Sequence, residues 1–250
     1  MKQPVYQSFL SAKNNRQKKF AMLIDPDRVS AESLVRIADA AQKAAVDFLF
    51  LGGSLVINNT FNECVYILKS CCEIPIIIFP AHAMQVQEDA DAILFLSLIS
   101  GRNPELLIGQ HVIAAPLLRA SSLEIIPTGY MLVDGGAPTT VSYISNTIPI
   151  PWDKDEIAVC TALAGEYLGL KILYLDTGSG ALNSVSTSMV SKVSTATSVP
   201  LIAGGGIRSA EKAYDLCQAG ADIIVAGNAI EKDFALIGKL SNAVHAAVSV

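Results

Sequence analysis

Two stretches near the C-terminus decide the fold: Pro200–Ser209, which reads PLIAGGGIRS, and Ile223–Ile230, which reads IIVAGNAI. Each is a short apolar run that stops at glycine and passes into a helix start. This is the layout of the seventh and eighth βα loops of a (β/α)8 TIM barrel, where glycine backbone and a helix N-terminus hold a phosphate. A Cβ atom would keep the backbone N–H groups from closing on phosphate oxygens. The pair therefore predicts a small phosphorylated substrate.

The preceding sequence alternates between strands and helices with no linker, which predicts a single TIM-barrel domain over residues 1–250. Apolar runs that end in glycine or polar residues predict six further strands: Lys19–Ile24, Phe48–Leu51, Ile74–Phe79, Ala92–Leu96, Ile125–Val133 and Ile172–Leu175. Active sites of such barrels lie at the carboxyl ends of the strands. We therefore look for function in the residues that follow each run.

Helical periodicity and capping residues place helices between most of these strands. The predicted helices are Ala31–Ala44 behind an N-cap at Ser30, Phe61–Cys72, one from Glu105, and one that runs to Tyr167 from a capping box at Asp153 and Glu156. Residues 80–91 are too few for a full crossover helix, so the third helix is predicted to be reduced to a loop. Residues 137–151 are predicted to be one long irregular segment.

Composition narrows the class of protein. Hydrophobic residues are 51% of the 250 and charged residues 16%, enough apolar surface for a large core and for a subunit interface. A net charge of −5 without a basic stripe argues against nucleic acid as a partner. No apolar run approaches the roughly 18–20 residues of a membrane span, and we find no signal-peptide pattern. Five cysteines without metal-site spacing fit reduced thiols, so we expect a cytoplasmic enzyme.

Five segments carry a resemblance to a known family: Ile24–Asp27, Leu51–Ser54, Tyr174–Ala181, Ala203–Arg208 and Ala226–Asn228. In this order, and at these strand ends, the chain resembles geranylgeranylglyceryl phosphate synthase, a prenyltransferase barrel that lacks a regular third helix. The resemblance covers nearly the whole chain. It implies transfer of a polyprenyl group, with geranylgeranyl diphosphate as the expected donor, to sn-glycerol 1-phosphate, which gives an ether lipid precursor and diphosphate.

The resemblance also assigns a magnesium site. Asp25 and Ser54 match the family residues that bind Mg²⁺, which in turn holds the diphosphate of the prenyl donor. One carboxylate and one hydroxyl suffice when phosphates and waters supply the other oxygens. An Asp before a proline is also typical of a turn, and Asp27 is expected to be structural.

The remaining matches form the expected glycerol-phosphate site: Tyr174, Leu175, Asp176, Thr177, Gly178, Ser179, Gly180, Gly205, Gly206, Gly227 and Asn228. In the resembled family the glycine amides hold the phosphate. Tyr174 and Asp176 are expected to face the glycerol hydroxyls and to be the catalytic residues, with Asp176 acting as base or as hydroxyl anchor. The family often carries Glu where this chain has Asp176, and Tyr174 is equally typical of interior barrel packing.

Other residues have less specific expectations. His82, Ser97, Arg102 and Asn103 follow strands three and four, where they could help to hold a leaving diphosphate or belong to the loop scaffold. Arg208 could add charge to the phosphate site, although a solvated arginine at a helix start is more common. The aromatic, proline-rich stretch Tyr143–Trp152 could line a prenyl groove, anchor a subunit contact or pack as an ordinary loop, and we expect the protein to be a homo-oligomer. A lipid-like product implies transient contact with a membrane surface.

Two other classes of function stay open from the sequence. The chain could be another phosphate-binding TIM-barrel enzyme, such as a sugar-phosphate isomerase or lyase. It could also be a non-catalytic barrel that binds a phosphorylated metabolite. No lysine stands at the carboxyl end of a predicted strand, which argues against a Schiff-base aldolase.

Overall fold

The computed structural model describes residues 3–58 and 60–247. Within these residues, eight parallel strands pair in sequence order and close into a barrel, with β1 against β8. The strands are β1 Lys19–Ile24, β2 Phe48–Gly52, β3 Ile76–Phe79, β4 Ala92–Leu98, β5 Glu124–Leu132, β6 Ile172–Asp176, β7 Leu201–Gly204 and β8 Ile223–Ala226. Near-continuous apolar runs form these strands because both faces of the sheet are buried. The predicted (β/α)8 barrel is confirmed.

Helices cover the outside of the barrel. In the described part of the chain they are α1 Pro4–Asn14, α2 Ala31–Lys43, α3 Phe61–Cys71, α4 Gln110–Ala120, α5 Thr140–Ser145, α6 Asp155–Tyr167, α7 Thr187–Ala196, α8 Ala210–Gln218, α9 Asn228–Lys232 and α10 Ala235–Ala246. A π-helical turn, Glu105–Gly109, leads directly into α4, which agrees with a helix from Glu105. None of these helices has both the length and the apolar character that crossing a bilayer requires.

The third crossover helix is missing, as its sequence predicted. Residues 80–91, all described, join β3 to β4 through turns and bends without a helix. The outer surface of β4 therefore lacks the helix that would normally precede it in the barrel. Ile93 on β4 is 4% exposed and packs in the outer core, while Phe95, two residues on, remains partly exposed.

Three local predictions were wrong. The third strand begins at Ile76 rather than Ile74, after Pro75, which has no N–H group for the sheet ladder. The capping box predicted at Asp153 and Glu156 is absent. The N-cap of α6 is Lys154, to which Asp153 forms an ion pair, and Glu156 pairs instead with Lys192 on α7.

The segment predicted to be irregular contains a helix. Thr139 and Ser142 form a reciprocal capping box that starts α5. Asn146 ends it in a left-handed conformation at φ 49°, which asparagine tolerates better than most residues. The two capping residues were the missed signal, and the helix they start lies beside the mouth of the barrel.

The amino-terminal helix closes the bottom of the barrel. Phe9 of α1 is fully buried and packs edge-on against Phe48, with ring centroids 4.9 Å apart. The Glu124 carboxylate accepts hydrogen bonds from the backbone N–H groups of Val5 and Tyr6, at 2.9 and 2.8 Å, and so caps the start of α1. Ligands therefore enter at the opposite end, where the strands end.

Candidate active site

The sixth and seventh loops meet at Gly205, immediately after β7. Its backbone has φ +76°, and a Cβ atom there would come within 2.5 Å of both Asp176 Oδ1 and Thr177 Oγ1. Only glycine allows this approach together with this φ. Gly205 is therefore needed to seat the end of β7 against the predicted catalytic residue.

Side chains and backbone join the three glycine-rich loops. Asn228 donates a hydrogen bond to Ser179 Oγ at 2.8 Å, which links the eighth loop to the sixth. Gly206 packs so closely on the sixth loop that a Cβ atom would lie 2.5 Å from the Asn183 carbonyl oxygen. Arg208 donates to the carbonyl oxygens of Leu182 and Ala181, so its guanidinium group braces the loop instead of lying free in solvent.

The helix starts after β7 and β8 differ from each other. Helix α8 begins at Ala210, and Ser209 already accepts the hydrogen bond of the Lys212 N–H group. Helix α9, Asn228–Lys232, is a five-residue helix ahead of the longer α10. A short extra helix at this position is a recurring part of phosphate sites in TIM barrels. Helix α9 thus begins directly after Gly227, whereas Ser209 separates the glycines of the seventh loop from α8.

Asp176 ends β6 with both carboxylate oxygens engaged. Tyr130 on β5 donates its phenol hydrogen to Oδ2 at 2.6 Å, and the Gly178 backbone N–H donates to Oδ1 at 2.8 Å. Burial raises the pKa of Asp176, and the two hydrogen bonds act in the opposite direction. Because each carboxylate oxygen has two lone-pair sites, both can still accept a ligand hydroxyl.

Tyr174 points into the barrel interior and is 1% exposed. Its ring packs against those of Phe79 and Tyr130, with centroids 5.7 and 5.5 Å away. A Cβ atom on Gly204 would lie 2.6 Å from its phenol oxygen. Burial, followed by the charge of Asp176, raises the pKa of Tyr174 well above its usual value, so the phenol stays neutral. The tyrosine is a core residue whose polar end reaches the candidate site.

The residues on either side of Asp176 in the sequence, Leu175 and Thr177, differ in what their side chains contact. The Leu175 side chain packs in the outer core, so only its backbone can face a ligand. Thr177 is 1% exposed, and its Oγ1 has no hydrogen-bond partner among the described residues. A buried hydroxyl without a partner is uncommon in a folded protein, and this one lies beside Gly205. The remaining predicted ligands of this loop, Ser179 and Gly180, are exposed.

Asp25 and Ser54 follow β1 and β2, which are neighbours in the sheet. The first carboxylate accepts a hydrogen bond from the Asp27 N–H at 3.0 Å and pairs with Arg28 at 3.2 Å, so the turn expected before Pro26 is present. A Cβ atom on Gly53 would lie 3.9 Å from the carboxyl of Asp25, which shows that the two loops adjoin. Burial raises the pKa of Asp25.

The donor set here fits Mg²⁺ only with help from a ligand. Among residues 3–58 and 60–247, no group of three His, Cys, Asp or Glu side chains could hold a metal by itself. Mg²⁺ is commonly bound by one or two carboxylates together with phosphate oxygens and water. Asp25 and Ser54 suit that arrangement. Asp27 instead accepts hydrogen bonds from the N–H groups of Ile57 and Asn58, which confirms its structural role.

An apolar cleft of about 930 Å³, counted with its open mouth, lies where the third helix is missing. It runs from Ser54 and Phe79 at the barrel mouth to Ala114 and Leu118 on α4, and Tyr130 lines it. The cleft and the Asp176 carboxylate are therefore separated by one phenol ring.

The predicted loop residues around this cleft have mixed roles. His82 lines it, and Ser97 contacts His111 Nε2 at 3.1 Å. Asn103 ties the fourth loop to α5 through the Ser145 carbonyl oxygen. Arg102 is exposed and donates to the adjacent Gly101 carbonyl oxygen. The scaffold interpretation is correct for Asn103.

Comparison with known proteins places this geometry in a family. The sequence model of the PcrB family matches residues 13–247. The chain belongs to the PcrB family. Its relatives include the geranylgeranylglyceryl phosphate synthase of Chitinophaga pinensis, 57% identical over 250 residues that span 100% of this chain and 99% of the relative. The enzyme of the same name from Saccharolobus solfataricus is 41% identical over 221 residues, 88% and 86% of the two chains.

A solved structure supports the same placement. The crystal structure of (S)-3-O-geranylgeranylglyceryl phosphate synthase from Thermoplasma acidophilum in complex with its substrate sn-glycerol-1-phosphate matches with a TM-score of 0.91 and 33% sequence identity. The match covers 96% of this chain and 98% of that one. The resemblance inferred from the loop motifs is thereby confirmed for this member of the PcrB family.

Two features of this PcrB-family site were missed by sequence reasoning. Tyr130 was assigned only to a strand, and its contact with Asp176 depends on the pairing of Tyr130 with Tyr174 across β5 and β6. His111 was given no role, although it lines the cleft and packs edge-on against Phe95. The inward alternation along β5 was the available signal for Tyr130.

Proposed function

We propose that this PcrB-family chain transfers a prenyl group from its diphosphate to sn-glycerol 1-phosphate. The observation that carries the proposal is the contact between two unlike sites: a polar site behind the glycine loops and an apolar cleft, with Tyr130 lining the cleft and bonded to Asp176. A sugar-phosphate isomerase would not need the apolar cleft. A non-catalytic phosphometabolite sensor would not need a buried carboxylate at the boundary between the cleft and the polar site.

The acceptor site lies in the loops after β6, β7 and β8. Backbone of Gly205, Gly206 and Gly227 would hold the phosphate, with Asn228 fixed by its bond to Ser179. The unpartnered Thr177 hydroxyl can supply a further hydrogen bond. Tyr174 and Asp176 would hold the glycerol hydroxyls at the boundary with the cleft.

The donor site lies on the opposite side of the barrel mouth. The cleft would take the prenyl tail, and the diphosphate would lie at its mouth, where Gly53 and Ser54 adjoin Asp25. With Asp25 and Ser54 as its protein ligands, bound Mg²⁺ would neutralise charge on the diphosphate as it leaves. We take geranylgeranyl diphosphate as the donor, because the relatives are named for that group.

The chemistry is an ether-forming substitution. The C3 hydroxyl oxygen of glycerol phosphate bonds to C1 of the prenyl chain, while the C1–O bond breaks and its electron pair leaves with the diphosphate. The hydroxyl proton passes to a carboxylate oxygen of Asp176. Holding the two reactants in line supplies much of the acceleration, since the allylic diphosphate is already a reactive electrophile.

We further propose the setting in which the enzyme works. Free thiols at all five cysteines suit the cytoplasm, and a lipid-like product calls for transient contact with a membrane surface. Tyr143 is 85% exposed beside Ile144 and Ile148, an apolar surface that suits a homo-oligomer contact.

Product analysis tests the proposed function. The protein is incubated with Mg²⁺, sn-glycerol 1-phosphate and prenyl diphosphates of several lengths, and products are identified by mass spectrometry. We expect an ether-linked prenylglyceryl phosphate and one diphosphate for each ether formed. Diphosphate release without the ether, or no consumption of any prenyl donor, would refute the proposal.

A further inference from the structure

Tyr130 lies at the boundary between the two proposed substrate sites. It sits near the end of β5, is 5% exposed, and pairs with Tyr174 on β6. One part of its ring lines the apolar cleft, and its hydroxyl lies 2.6 Å from Asp176 Oδ2. No other tyrosine in the described residues combines these two contacts.

The hydrogen bond has a defined direction. Burial, together with the nearby Asp176 charge, raises the pKa of Tyr130 well above its usual value, so the phenol remains protonated and donates. The carboxylate accepts this bond on Oδ2 and the Gly178 N–H on Oδ1. Asp176 is therefore held from two sides, one of them the side that faces the cleft.

The pKa of Asp176 is set by its burial and by these two hydrogen-bond donors. The titratable groups that face it are the phenols of Tyr130 on β5 and Tyr174 on β6 itself. From β7 it meets the backbone near Gly205, and from its own loop Thr177 and Gly178. Burial favours the protonated carboxyl, whereas the donated hydrogen bonds favour the carboxylate that can accept a proton.

We infer that Tyr130 is a positioning residue that holds the Asp176 carboxylate toward the glycerol hydroxyl at the edge of the prenyl cleft. This inference rests on the proposed function, in which Asp176 receives the hydroxyl proton. Tyr130 itself exchanges no proton in the reaction. Its ring separates the apolar cleft from the polar site, and its hydroxyl orients the group that acts across that boundary.

Tyr130→Phe tests the inference, because it keeps the ring and removes only the hydroxyl. We expect kcat to fall about 10-fold to 100-fold, the loss typical of a hydrogen bond to a charged group, while KM for the prenyl diphosphate stays unchanged. The pKa of Asp176 should rise, so the acid limb of the kcat profile should move to higher pH. Tyr66→Phe, at a tyrosine that is 70% exposed, is the matched control.

A second measurement does not depend on turnover. Carbon-13 labelling of aspartate, with Asp176→Asn for assignment, follows the ionisation of Asp176 directly by NMR. We expect its titration midpoint at higher pH in Tyr130→Phe than in the wild type. An unchanged midpoint, or an unchanged kcat profile in an active variant, overturns the inference. A wild type without prenyl transfer refutes the proposed function instead, and the NMR comparison still decides the role of Tyr130.

Discussion

The two sides of the barrel mouth are built in opposite ways. After β6 and β7, glycines with positive φ bring the loops so close together that added Cβ atoms at Gly205 and Gly206 would collide with the sixth loop. After β3 and β4, a missing helix leaves an apolar cleft of about 930 Å³. A small charged ligand of fixed shape needs preorganised backbone, whereas a long flexible hydrocarbon needs volume. One enzyme that joins such ligands needs both constructions side by side.

The largest expected effect comes from adding a side chain to a glycine on the tight side of the barrel mouth, which we define as the loops after β6, β7 and β8. Gly205→Ala would force a methyl group against Asp176 and Thr177, so we expect affinity for sn-glycerol 1-phosphate to fall about 100-fold or more, while prenyl diphosphate binding persists. Calorimetric titration of each ligand measures this. Gly169→Ala is the control, since Gly169 also has positive φ, +86°, but open space around it. Equal loss of both ligands would mean misfolding and would contradict the comparison.

The next largest effect is expected at the proposed magnesium site. This site belongs to the open side of the barrel mouth, which we define as the loops after β1 to β4 with the apolar cleft. Asp25→Asn should lower turnover about 100-fold or more, because a cation that neutralises the leaving group contributes several kcal/mol. The melting temperature should change little, since Asp25 lies on the rim and outside the core. Steady-state kinetics over a range of Mg²⁺ concentrations, with a melting curve, checks both. The control is Asp39→Asn on the surface of α2, where Asp39 pairs with Lys43. Turnover at the wild-type level would remove Asp25 from the metal site.

A moderate effect is expected from narrowing the cleft. Ala114 is 6% exposed and lines the cleft from α4. Ala114→Leu should raise KM for long prenyl diphosphates about tenfold, since displacing two methylene groups costs about 0.8 kcal/mol each, and should spare short donors. Kinetics with donors of two lengths measures the difference. Ala115→Leu, on the exposed face of the same helix, should change neither value. The same rise for both lengths would mean that the tail lies elsewhere.

The smallest effect on catalysis should follow from changing the outer surface. Tyr143→Ala should lower the assembly state of the proposed homo-oligomer and leave turnover mostly intact, because Tyr143 projects from α5 and is 85% exposed. Light scattering after size-exclusion chromatography gives the mass. Tyr167→Ala removes a tyrosine that is 82% exposed at the end of α6 and serves as control. A monomeric wild type, or an unchanged mass in the variant, would contradict this contact.

The tight side could be predicted from sequence much better than the open side. Gly205 and Gly206 can be recognised from the local sequence, because few residues other than glycine tolerate a backbone with positive φ. The missing third helix could also be predicted, since residues 80–91 are too few to form it. The sequence-based explanation of why position 205 is glycine was nevertheless incomplete. The missing side chain makes room for Asp176 and Thr177 as well as for a ligand.

The rest of the site depends on distant pairings that no local pattern encodes. Tyr130 and Asp176 are 46 positions apart and meet only when β5 and β6 pair in register. The cleft is lined by α4, by α5 and by the loop that replaces the third helix, and α5 was predicted to be irregular. Arg208 could not be placed from sequence, because the carbonyl oxygens that it binds belong to another loop.

Simultaneous binding tests the division between the two sides most directly. Calorimetric titration of sn-glycerol 1-phosphate is carried out on the protein alone and on the protein saturated, with Mg²⁺, by a non-reactive prenyl diphosphate analogue. If the phosphate loops and the apolar cleft are separate sites that meet at Tyr130, glycerol phosphate should bind one per chain in both cases, with its affinity retained or increased. Competition between the two ligands would contradict the account, because it would mean that they share one site.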